Sequence, residues 1–139
     1  MKKKRILVVL GGKSKERNVS LNSGNACYEA IKRLGYKVEK FDTAHKYIDE
    51  IDKSKIDIIF NALHGKDGED GVAQSYFEYL KIPYTHSGVI SSINAMDKNF
   101  SKKIFKKNKI LSPNYITIKK KSYENSLILY LIKKNRLNF

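Results

Sequence analysis

Three polar stretches interrupt the apolar runs of this 139-residue chain, and each carries side chains able to bind or steer charge: GGKSKERNVS at 11–20, HGKDGEDG at 64–71 and THSGV at 85–89. Glu16, in a loop entering a helix N-terminus, can complement the helix dipole or receive an ammonium group. A capping or solvated role needs no ligand and competes with that reading. His64, at the end of an apolar strand, can hydrogen-bond a carboxylate or serve as a satisfied structural imidazole. Gly65, Gly68 and Gly71 suit turns and close backbone approach. Lys98 can meet a phosphate as a point charge, although most of the 28 Lys and Arg side chains must be solvated.

Several familiar motifs nearly match and fail. GGKS imitates the end of a phosphate-binding loop, but the full pattern needs glycine where Leu7 stands. No GxGxxG follows the first strand. KDGEDG has too few acidic positions for a calcium loop, which would need a ligand at Gly71. Asn18-Val19-Ser20 is a glycosylation sequon without secretory context. No metal site is read from the sequence.

The elements that must position these loops alternate strand and helix. RILVVL at 5–10 is a continuous apolar run, as a strand buried on both faces requires. Helical spacing of Ala26, Ala30, Ile31 and Leu34 predicts a helix from Ser20, capped by Ser20 or Asn22 and closed by Gly35. KVEKFD at 37–42 alternates and suits a strand nearer the sheet edge. A short helix is expected around 44–53, a third strand at 56–62, a helix at 72–80 and a short strand at 82–85. Residues 89–108 read as helical with a break near Met96-Asp97, followed by a strand at 115–118 and a helix at 122–134. This βαβαβ order predicts a parallel α/β sheet with helices on both faces. Ligands of such sheets gather at the carboxyl ends of the strands, where the three polar loops fall.

Composition narrows the function classes. No apolar run approaches the roughly 20 residues of a membrane span, and the basic-then-apolar N-terminus is too short in its apolar part for a signal peptide. Cys27 stands alone, which excludes an internal disulfide and suits a small buried role. A cytoplasmic, membrane-free protein is expected. The net charge of +14 is concentrated late: residues 1–98 hold 17 basic and 13 acidic side chains, residues 99–139 hold 11 and 1. The basic tail lacks the aromatic interleaving or zinc-finger spacing of a nucleic-acid reader, so no specific nucleic-acid partner is expected.

Taken together, GGKSKERNVSLNSG, NALHGKDGEDG and IPYTHSGVISSINAMDK resemble, in order and spacing, the N-terminal part of the D-alanine:D-alanine ligases. The resemblance covers residues 11–98. It implies a Rossmann-like domain at 1–96, which precedes an ATP-grasp region beginning at 97–139. It also implies an ATP-dependent synthesis of the dipeptide used in peptidoglycan crosslinking. In that reaction ATP phosphorylates the carboxylate of one D-alanine and the amine of a second attacks the acyl phosphate, with Mg2+ neutralising phosphate charge. By resemblance, Glu16 holds the first D-alanine through its ammonium and is the catalytic-network residue. Val19 and Ser20 line the same subsite, His64 lies near the substrate carboxylate, and Lys98 contacts the nucleotide phosphates.

Two departures stand out. His86 occupies a position where many members have glycine. Members run to about 300 residues, and the ATP-grasp domain that carries most ATP and Mg2+ ligands would follow RLNF at 136–139, so the chain reads as a truncated ligase, inactive or nearly so alone. A homodimer is a further expectation from the resemblance. The alternative is a stand-alone small-molecule-binding module without catalysis.

Overall fold

The computed structural model describes residues 4–117 and Tyr130. The chain divides into two units, Met1–Met96 and Asp97–Phe139.

In the first unit, three parallel strands, β1 (Arg5–Leu10), β2 (Lys37–Asp42) and β3 (Ile58–Asn61), form a sheet in the order β2-β1-β3. Ile6 of β1 stands opposite Val38 of β2 and Ile58 of β3. The apolar run of β1 follows from this central place, because its two sets of alternate side chains enter different cores. Leu7 and Val9 pack with Phe41, Ile59, Ala73 and Phe77, whereas Val8 and Leu10 pack with Ala62 beside Leu21, Tyr28 and Ile31. The first face is covered by α2 (Val72–Leu80) and the second by α1 (Arg17–Arg33). Edge strand β2 buries only Phe41 fully, which explains its alternating sequence.

Helix α1 starts three residues earlier than its apolar spacing predicts, with Glu16 as N-cap, so Arg17, Asn18, Val19 and Ser20 are helical and neither Ser20 nor Asn22 caps. Gly35 does close the end, donating its N–H to the Lys32 carbonyl at 2.8 Å. The helix expected at 44–53 is a single 3-10 turn, Ile48–Glu50. The chain before it turns tightly because Asp42 draws in the Ala44 amide through its side chain and the His45 and Lys46 amides through its carbonyl. The strand expected at 82–85 shrinks to one bridge between Ile59 and Tyr84. Pro83 has no N–H to offer, and the Asn61 N–H goes to the Thr85 hydroxyl rather than to a strand carbonyl.

Helix α3 (Val89–Met96) ends the first unit. The second unit begins with α4 (Lys98–Lys107), whose N-terminus is capped by Asp97 accepting the Phe100 N–H at 2.9 Å. The predicted break at Met96-Asp97 is therefore a true cap. Residues 115–117 form no strand, and the rest of the expected strand and the helix at 122–134 fall, Tyr130 apart, outside the described residues. Among the described residues no helix is long and apolar enough to cross a membrane.

Gly24 is buried where α1 crosses the sheet. A Cβ there would sit 2.7 Å from Leu10 Cβ and 3.3 Å from Ala62 Cβ. Alanine is the better helix former by about 1 kcal/mol, yet this contact leaves no room. Gly24→Ala should therefore destabilise the domain by about 1–3 kcal/mol, read as a lowered urea midpoint. An unchanged or raised midpoint would show that α1 can ride up without cost.

Candidate functional site

The carboxyl ends of the three strands are tied together by side chains from α1 and β2. Ser20, fully buried, accepts the Gly11 N–H at 2.8 Å and donates to the Ala62 carbonyl at 2.6 Å. One hydroxyl thus joins the end of β1, the start of α1 and the end of β3. Beside it, Arg17 grips Asp42 with two nitrogens at 2.8 and 2.7 Å and the Gly12 carbonyl at 3.0 Å. The Gly12 and Ala44 amides also donate to Asp42. The Arg17 guanidinium is the main reason the Asp42 carboxyl is held down at about 2; partial burial works in the opposite direction and the two amides assist.

The loop after β3 is built the same way. Asn61 and Gln74, both buried, donate to the Gly68 carbonyl at 3.1 and 2.9 Å, and Gln74 accepts the Gly71 N–H. Ser14 stitches this loop to the first, donating to the His64 carbonyl at 2.8 Å and accepting the Glu16 N–H at 3.1 Å. Gly65 has a φ of +69°, and a Cβ on it would lie 2.9 Å from Glu16 Oε1, so the close pass of the two loops requires glycine.

These ties bring Glu16, His64 and Glu69 together, with one donor atom of each within 4.8 Å of the others. Two carboxylates and an imidazole in that spacing can share an organic ammonium or a metal ion. Glu69 is fixed by the Gly65 N–H at 2.7 Å. The His64 ring is held on one side by Ser23, 3.1 Å from Nε2, and faces Glu69 Oε1 at 4.0 Å with Nδ1.

Two cavities flank His64. One of about 250 Å³ includes Gly12, Lys13, Thr43, Tyr47, His64 and Lys66 in its wall. The other, about 350 Å³, includes Ser23, Cys27, His64, Glu69, His86 and Ser91. Cys27 is thus partly exposed at a cavity, not the small buried residue its solitary place predicts. His86 adopts φ +78°, a glycine-like conformation, and its ring meets Phe60 edge-on with centroids 6.1 Å apart.

Of the residues singled out in the sequence, Glu16 and His64 are neighbours. Val19 lies on the first turn of α1 with about half its surface exposed. Ser20 faces inward, its hydroxyl occupied by backbone. Lys98 is the exposed first residue of α4, in the other unit. Ser14, Ser23 and Glu69 were not singled out. Motif spacing does not mark them, because the contacts that bring them to His64 cross between separate segments of the chain.

The comparisons with known proteins agree with this architecture. A family model described as the D-ala D-ala ligase N-terminus matches residues 40–87. The D-alanine–D-alanine ligase of Pelagibacter ubique is 51% identical over 133 residues, covering 95% of this chain and 43% of that protein. A crystal structure of the D-alanine–D-alanine ligase from Bacillus anthracis superposes with a TM-score of 0.73 at 39% identity, over 94% of this chain and 43% of that one. A structure of the ligase from the same organism complexed with ATP gives 0.73 at 30% identity, over 94% of this chain and 54% of that one. The chain therefore spans less than half the length of the curated relative.

Asp42 titrates at about 2 in the fold against an ordinary value of 3.8. On acidification the unfolded chain takes up this proton first, so the stability that the Arg17 pair contributes is complete above about pH 5 and is lost as pH falls towards 2. Asp42→Asn should lower the urea midpoint at pH 6, with the gap from wild type shrinking towards pH 2. A gap that stays constant with pH would remove the ion pair from this account.

Proposed function

We propose, on the premise that this chain is the N-terminal part of a D-alanine:D-alanine ligase, that it forms the subsite for the first D-alanine of an ATP-dependent dipeptide synthesis. The observation that carries this reading is the convergence of Glu16, His64 and Glu69 beside a cavity at the carboxyl ends of β1 and β3. A zwitterionic amino acid needs a carboxylate for its ammonium and a donor for its carboxylate. Glu16 supplies the first, and no described side chain pairs with its carboxylate. His64 supplies the second. Val19 gives the subsite an apolar wall, and Ser20 acts from behind by fixing the Gly11 turn and the end of β3.

ATP and Mg2+ belong to the reading at the level of the longer protein. Lys98 is the phosphate contact the resemblance assigns to this chain. Among the described residues, no group of three metal-binding side chains forms around it. The dipeptide would serve peptidoglycan crosslinking, and the supply of ATP would set the reaction in the cytoplasm.

Isothermal calorimetry of the 139-residue chain with D-alanine tests the subsite. Saturable binding should appear with D-alanine and weaken about tenfold or more in Glu16→Gln, the size of a lost charge-assisted contact. Absence of binding by the wild-type chain, or an affinity that Glu16→Gln leaves unchanged, would overturn the proposal.

A further inference from the structure

Ser23 lies one turn along α1 from Val19, and its single hydroxyl proton has three claimants, of which the Ser20 carbonyl at 3.4 Å is the most distant. The Val19 carbonyl is 2.9 Å away and His64 Nε2 is 3.1 Å away. The far side of the imidazole decides between them. Nδ1 faces Glu69 Oε1 at 4.0 Å, too far for a hydrogen bond but close enough for an ionised carboxylate to oppose a lone pair and favour an N–H. Glu69 cannot readily turn away, because its other oxygen accepts the Gly65 N–H at 2.7 Å.

A neutral imidazole with its hydrogen on Nδ1 presents a lone pair at Nε2, and that lone pair needs a donor. The Ser23 hydroxyl is in place to be it. The competing Val19 carbonyl already accepts a backbone N–H within the helix ladder, so it loses less when the hydroxyl turns to the ring. We infer that Ser23 is a positioning residue, holding His64 as the Nδ1–H tautomer, the form that free histidine disfavours in water. The consequence is directional. The ring then aims an N–H, not a lone pair, towards the Glu69 side, as recognition of an amino-acid carboxylate requires. That consequence rests on the proposed substrate subsite, whereas the tautomer itself stands without any ligand.

Long-range 15N–1H correlation spectra of the uniformly labelled chain, at about pH 8.5 where an ordinary imidazole is neutral, read the tautomer directly. The sequence has three histidines, and the pattern that vanishes in His64→Gln assigns the relevant one. His64 should show the Nδ1–H pattern in wild type, keep it in Ser23→Thr and revert to Nε2–H in Ser23→Ala. An Nε2–H pattern in wild type, or the same pattern in wild type and Ser23→Ala, would overturn the assignment. In a parallel D-alanine titration, Ser23→Ala should weaken binding about three- to tenfold and Ser23→Thr should not. Failure of the wild-type chain to bind D-alanine would defeat the proposed function while leaving the tautomer assignment intact.

Discussion

The ends of β1 and β3 have to be held side by side while α1 lies across them, and the buried Ser20 hydroxyl is the contact that holds all three. Both of its partners are backbone groups, the Gly11 N–H and the Ala62 carbonyl. Removing the hydroxyl would leave two buried polar groups unsatisfied, at about 1–3 kcal/mol each. Gly24, one helical turn further on, lets the same face of α1 settle against Leu10 and Ala62. The helix is therefore pinned at two successive turns, by a hydrogen-bonded knot and then by close packing. Everything at the strand ends inherits that alignment. Glu16 is carried by the helix start, His64 by the loop after β3, and Ser14 joins the two.

Charge is arranged to keep this knot from being pulled apart. Two bidentate arginine pairs clamp opposite edges of the sheet. Arg5 grips Asp57 and the Ser54 carbonyl at the amino edge, and its guanidinium holds the Asp57 carboxyl well below the usual range. Arg17 grips Asp42 at the carboxyl edge. Both pairs are partly exposed, so their value lies more in fixing geometry than in bulk stability. The second pair also explains how adjacent residues serve opposite ends. Successive side chains at a helix start diverge by about 100°. Arg17 turns to β2 and is neutralised there, leaving the Glu16 carboxylate free to face His64 across Gly65.

Much of the scaffold was legible because it obeys simple periodicities. The run RILVVL revealed a doubly covered strand, the alternation of KVEKFD revealed the edge, and 72–80 read correctly as a helix. The segments that misled are those where a side chain captures the backbone. Asp42 turns the chain that would otherwise start a helix at 44, and the Thr85 hydroxyl and Pro83 reduce a strand to one bridge. Helix α1 starts earlier than its apolar spacing indicates, because that spacing marks only the packed face, which begins a turn after the Glu16 cap. Of the candidate cluster, Glu16 and His64 stand out through motif spacing. Ser14, Ser23 and Glu69 act through contacts that only the folded loops create. His86 departs from the glycine that the resemblance leads one to expect, and its φ of +78° gives the physical reason glycine suits that place.

The distinction between scaffold and site can be drawn by asking which polar groups still have bonding capacity to give. Ser20, Asn61 and Gln74 are buried, and their hydrogen bonds go to backbone groups of this chain, so a ligand could gain nothing from them without breaking the fold. Glu16 and Glu69 are exposed at the same strand ends, and the imidazole between them keeps one nitrogen beyond hydrogen-bond range of any carboxylate. The cluster thus sets two exposed carboxylates beside one imidazole. An ammonium group can be met there by a carboxylate, and a carboxylate by the imidazole. The proposed zwitterion subsite therefore draws only on residues of the first unit.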